Sequence, residues 1–130
     1  MTSDLLKKLQ LKAGQRVAIL DPPEGYEARL AGELEGVILG EAEGTPDGVL
    51  AFVTSRAATL ERAPQAFDLV AEGGLVWLLY PKGGSGIATD LNRDVLWKTL
   101  AHSGWRPVRQ IALDDTWSAM RFRPEADIGR

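Results

Sequence analysis

Gly73-Gly74-Leu75-Val76-Trp77-Leu78-Leu79-Tyr80-Pro81-Lys82-Gly83-Gly84-Ser85-Gly86 is the stretch that decides the fold. A glycine pair suited to ending a helix runs straight into six apolar residues, Leu75 to Tyr80. An apolar run without alternation reads as a strand buried on both faces, as in a parallel sheet covered by helices. The Pro-Lys-Gly-Gly-Ser-Gly segment after it then opens at the carboxyl edge of that sheet, where ligands bind in open α/β folds.

The flanking sequence supports a sheet of this kind. Before the run, Ser3-Asp4 predicts an N-cap for a short amphipathic helix reaching toward Gly14. Arg16 to Leu20, Gly36 to Gly40 and Val49 to Val53 read as short aliphatic strands. A helix is expected from Pro23, a good first-turn residue, to about Gly32, with Glu24 and Glu27 favouring its positive end. Thr54-Ser55 offers a cap for a helix carrying Leu60, Ala63, Phe67 and Val70 on one side, which Pro64 should kink or split. Beyond the glycine loop, Thr89-Asp90 predicts the start of a helix over 91–103.

Val108 to Leu113 and Trp117 to Phe122 are strands separated only by Asp114-Asp115-Thr116, so they must form an antiparallel hairpin. Alternation puts Met120 and Phe122 on one buried face of it. Arg121 and Arg123 share the other, more open face with Trp117 and Ala119. Trp77 and Trp97 read as core residues, whereas Trp105 and Trp117 are placed to line a pocket or a contact.

Composition bounds the function. At 130 residues the chain is one domain with room for a core, and its 45% hydrophobic and 25% charged residues are those of an ordinary globular protein. Without cysteine, and with His102 as the single histidine, thiolate and multi-histidine metal sites are excluded. Neither a membrane span nor a secretory leader is expected, and the cytoplasm is the expected compartment.

The net charge of −3 hides an asymmetry. Eight acidic residues and one basic residue, Arg29, lie between Asp21 and Asp47; seven basic and four acidic residues lie between Lys82 and Arg123. The overall acidity argues against nucleic acid as a partner, and the basic C-terminal third leaves room for an anionic small molecule.

Strands alternating with helices imply right-handed crossovers and a mainly parallel sheet. Closed by a hairpin, this order resembles that of class I methyltransferase-like domains. That resemblance implies a Rossmann-like strand order 2-1-3-4-6-5, with the last strand antiparallel. Several segments also resemble a family of short bacterial proteins with no assigned activity. They are Gly73-Gly74-Leu75, Tyr80-Pro81-Lys82, Ser85-Gly86, Thr89-Asp90-Leu91, Arg93-Asp94, Trp97 and Asp115 to Arg123.

Methyltransferases usually follow the first strand with an acidic residue and a glycine-rich turn. Here Asp21-Pro22-Pro23-Glu24-Gly25 stands there, and two prolines remove N–H donors where a cofactor needs close approach. Glu41 or Glu43 would supply the carboxylate expected after the second strand. The resemblance therefore implies a degenerate domain without a cofactor.

Candidate site residues follow from the carboxyl edge. They are Asp21 and Glu24 after the first strand, Ser55 and Arg56 after the third, Lys82 and Ser85 in the glycine loop, Arg93, and Asp114 and Asp115 at the hairpin. Arg56, with Ser55 and helix amides, can bind a carboxylate or phosphate, or Ser55 simply caps its helix. The glycine loop is not a Walker motif, because its lysine precedes the glycines, yet it can still cradle an anion. Topology brings Lys82, Arg93, Asp114 and Asp115 toward one edge, where they are expected to form a charged cluster.

Two readings follow. One is a non-catalytic binding or interaction module that self-associates, as a homodimer. The other is a small enzyme or ligand sensor, including an S-adenosylmethionine-dependent transferase, with an anionic ligand at the carboxyl edge.

Overall fold

A computed structural model describes residues 4–34, 36–39 and 45–125. The elements run α1 (Asp4–Lys8), β1 (Arg16–Leu20), α2 (Tyr26–Glu33), β2 (Ile38–Leu39), β3 (Gly48–Phe52), α3 (Arg56–Leu69), β4 (Leu75–Pro81), α4 (Arg93–Thr99), β5 (Trp105–Ala112) and β6 (Trp117–Pro124). They build a six-stranded sheet in the order β2-β1-β3-β4-β6-β5. The first four strands are parallel and β6 runs antiparallel between β4 and β5. This is the Rossmann-like architecture expected from the order of elements. Ser3, Glu41 and Glu43 lie outside the described residues.

β4 is the axis of the sheet, and all seven of its residues are buried. Its side chains alternate between two cores, as a pleated strand requires. Leu75, Trp77 and Leu79 face α1 and α2, packing with Leu5, Leu9, Leu30 and Leu34. Val76, Leu78 and Tyr80 face α3 and α4, packing with Ala63, Phe67, Leu96 and Leu100. The Trp77 indole N–H donates to the Leu9 carbonyl at 3.0 Å, which satisfies a buried donor and ties α1 to the sheet. The hairpin divides as its alternation predicts: Met120 and Phe122 enter the α3/α4 core, while Trp117 and Ala119 enter the α1/α2 core. Only the arginine end of that second face is open.

Several boundaries differ from the sequence reading, each for a local reason. α2 begins at Tyr26, after Gly25, whose φ of 83° breaks the helix that Pro23 was expected to start. α3 is continuous through Pro64, which lies on its exposed side. α3 ends at Val70, in extended backbone, ahead of the glycine pair. Gly74 is instead required by crowding: a Cβ there would lie 2.6 Å from the Asp47 carbonyl oxygen. α4 is capped by Asn92, which accepts from the Val95 N–H at 2.9 Å, and not by Thr89-Asp90. Since α4 turns Leu96 inward, Trp97, about 100° further round, is half-exposed and not in the core. Among the described residues no helix is long and apolar enough to cross a membrane.

Candidate functional site

β1 lies between β2 and β3, so the chain leaves it in one direction and later crosses to the other. The carboxyl ends of β1 and β3 therefore diverge, and a crevice opens at this switch point. A cavity of about 350 Å³ occupies it, lined by Asp21, Pro23, Phe52, Thr54, Ala58, Ile87 and Trp117. Its inner wall is aromatic. Phe52 and Trp117 meet edge to face with ring centres 5.0 Å apart, and Tyr26 packs edge-on at 5.6 Å from Phe52 and 6.1 Å from Trp117.

Apart from the exposed Thr54 hydroxyl, the polar groups at and beside the rim are engaged by the protein itself. Asp21 holds a left-handed backbone, with φ of 52°, and its carboxylate accepts from the Arg62 guanidinium of α3. Ser55 caps α3 by accepting from the Ala58 N–H at 3.0 Å. The Arg56 N–H, also at the start of α3, donates to the Asp90 carboxylate at 2.9 Å. An internal carboxylate thus sits where an anionic ligand was expected at that helix terminus. The Arg56 side chain lines a separate cavity of about 390 Å³ beside α4, with Asp90, Val95, Lys98 and Thr99.

The expected cluster of Lys82, Arg93, Asp114 and Asp115 does not form. The backbone did what the topology required: the Lys82 N–H donates to the Thr116 carbonyl at 2.8 Å. The side chains part because they serve opposite faces of the sheet. Arg93 starts α4 on one face, where it pairs with Asp94 at 3.7 Å and lies near Tyr80. Asp114 turns toward α2 on the other. Among the described residues neither Lys82 nor Asp115 enters an ion pair, and Glu24 stands exposed in its turn. Ser85 closes the glycine loop locally, its N–H donating to the Lys82 carbonyl at 3.1 Å.

Asp114 instead organises the floor beside the aromatic wall. One carboxylate oxygen accepts from the Thr116 and Trp117 N–H groups at 2.8 and 2.7 Å, forming the hairpin turn. The other accepts from the Tyr26 hydroxyl at 2.5 Å and the Arg29 guanidinium at 2.8 Å. Burial acts to raise the Asp114 pKa, but these four donors outweigh it and hold the carboxyl below its ordinary value. Burial, followed by the bond to Asp114, pushes the Tyr26 phenol up to about 12. The sequence reading missed Tyr26, Arg29, Arg62 and Asp90. Arg29 carried a signal, as the one cation in a long acidic stretch.

Neither a family model nor a curated protein sequence matches the chain. Solved structures do match. The ribosomal protein L11 methylase of Lactobacillus delbrueckii subsp. bulgaricus aligns with TM-score 0.61 and 14% identity, over 92% of this chain and 74% of that protein. Fibrillarin of Aeropyrum pernix, solved with natively bound S-adenosyl-L-methionine, aligns with TM-score 0.57 and 14% identity, over 92% of this chain and 72% of that one. TrmN of Thermus thermophilus gives TM-score 0.55 and 15% identity, and the chain spans 47% of its length. At these identities the likeness is one of fold. The chain has the Rossmann-like fold of the class I methyltransferases.

Proposed function

We propose that this domain is a non-catalytic binding module built on a methyltransferase-like fold, which takes a small, flat, largely apolar ligand in the switch-point crevice. The observation that carries this reading is the occupation of the crevice's polar groups. Pro22 and Pro23 have no N–H to offer, Asp21 is held by Arg62, and the Arg56 N–H is held by Asp90. Pro23, Phe52, Ala58, Ile87 and Trp117 remain to face the cavity, with the Thr54 hydroxyl as the polar group left free among the described lining residues. A donor set of this kind does not fit S-adenosylmethionine, whose charged and hydroxyl-bearing parts need free polar partners.

The second reading, an S-adenosylmethionine-dependent transferase, is supported by the fold neighbours, one of which was solved with that cofactor bound. Calorimetry separates the two. Titration with S-adenosylmethionine is expected to give no binding heat, and micromolar affinity would overturn the first reading in favour of the second. A thermal-shift screen of planar aromatic compounds supplies the positive test. A ligand specific for the native state, present at a hundred times its dissociation constant, adds about 2.7 kcal/mol. Such a shift should be abolished by Trp117→Ala in a variant shown to remain folded.

A further inference from the structure

The face of the β5–β6 hairpin that carries Trp117 and Ala119 ends in four arginines. Cross-strand register sets Arg109 opposite Arg121 and Arg106 opposite Arg123, the bulge between Pro107 and Arg109 keeping both pairs aligned. Arg121 and Arg123 are two residues apart on β6, so all four side chains leave the same face. Like charges directly opposite one another destabilise a sheet. Little on the protein offsets them. Arg106 reaches Glu125 at 4.0 Å, but among the described residues Arg109, Arg121 and Arg123 have no ion pair.

Arg121 is the most exacting of the four. Its Nη1 donates to the Gln10 side-chain oxygen at 2.6 Å, while its Nε is buried without a partner. Desolvation, then repulsion from Arg123 and Arg109, lowers its pKa. A charged edge strand commonly serves to block edge-to-edge pairing. That role suits Arg106 and Arg109 on the outer strand β5. It does not account for Arg121 and Arg123, because β6 is paired on both sides.

We propose that this arginine face binds the phosphate backbone of a nucleic acid. The cations are all arginine, whose planar fork matches phosphate oxygens. Their spacing, about 7 Å along a strand and about 5 Å across, presents a line of donors to a line of regularly placed anions. A protein partner would need apolar anchors at the centre of the contact. These arginines have no such cluster: Ile111, next on the same face, packs into the core, and Val108, exposed in the bulge between Arg106 and Arg109, is a single aliphatic side chain. This assignment departs from the expectation drawn from the net charge, which averages over an acidic N-terminal half.

The test is fluorescence anisotropy of the full chain with a labelled single-stranded RNA across a salt series. With three unpaired arginines engaged, log affinity is expected to fall with log salt at a slope of about −2. Arg109→Gln with Arg123→Gln, both outside the core, should weaken binding about tenfold or more and bring the slope to about −0.7. Melting curves verify that the variant is folded. Arg121→Met, which removes a desolvated cation, should weaken binding while leaving the melting temperature equal or higher. No binding at low salt would overturn the proposal, as would variants that bind like the parent. Displacement of the RNA by polyglutamate or by anionic phospholipid vesicles at equal charge would overturn it too, since the face would then read charge alone.

Discussion

Asp114 shows how one side chain can hold a site together. It forms the hairpin turn with two backbone donors and anchors α2 through Tyr26 and Arg29. Hydrogen bonds to a charged group contribute about 1.5–3 kcal/mol. Tyr26→Phe is therefore expected to lower stability by about 2 kcal/mol in urea denaturation, without loss of fold. A smaller effect in the Asp114→Asn background would establish that the two side chains couple. The pH dependence follows from the same pair. A carboxyl depressed in the folded state contributes stability above its ordinary pKa of about 3.9, lost as pH falls through the folded value. A phenol raised to about 12 contributes stability fully below about pH 10, lost as pH rises toward 12. Tyr26→Phe should flatten the alkaline limb in part, leaving the contribution of Tyr80, whose pKa burial also raises.

Among the elements, α3 and the glycine-rich segments show where local rules yield to packing. Pro64 removes a helical N–H in mid-helix, yet Ala63, Ala66 and Phe67 are buried against the sheet, and that packing keeps α3 whole. Because Pro64 itself is exposed, Pro64→Ala should restore the bond to the Leu60 carbonyl without disturbing the core. The expected gain is about 1–3 kcal/mol, read as a higher melting temperature. An unchanged or lower value would mean that the helix has already relaxed around the proline. β5 tells the complementary story. Pro107, the bulge and Arg106 and Arg109 make it a poor template for another strand, as an edge needs to be.

For the molecule as a whole, stability is concentrated in the middle of the sheet. β3 and β4 are buried throughout, and β6 is buried from Trp117 to Met120; β2 pairs through two residues and its Ile38 is half-exposed. Amide hydrogen exchange should be slowest in β3, β4 and that part of β6, near the global unfolding limit. It should be fastest in β2 and α1, which are short and lie at the periphery. Slow exchange in β2 would mean that the switch-point crevice has a firmer outer wall than its pairing suggests. The two proposed binding faces are separate in this frame. The crevice opens at the carboxyl ends of β1 and β3, and the arginines lie toward the far end of the hairpin from its turn, so loss of one function should leave the other intact.

The division between sequence and structure follows the range of the forces involved. Periodicity is local, so the unbroken Leu75–Tyr80 run determined a doubly buried strand, and strand–helix alternation with the short hairpin link determined a mainly parallel sheet closed by an antiparallel pair; the strand order itself was implied by the resemblance to methyltransferase-like domains. Alternation along β6 even assigned Trp117, Met120 and Phe122 to their faces. The site depended on which side of the sheet each helix covers, and no local pattern encodes that. Asp114 and Arg93 were rightly placed at one edge, yet α2 drew Asp114 to one face while α4 carried Arg93 to the other. Asp90 and Arg62 found their partners 34 and 41 residues away, at positions where ligand contacts had been expected. Four arginines scattered over 18 residues became one charged face only through cross-strand register, a tertiary property of two strands closed by a turn.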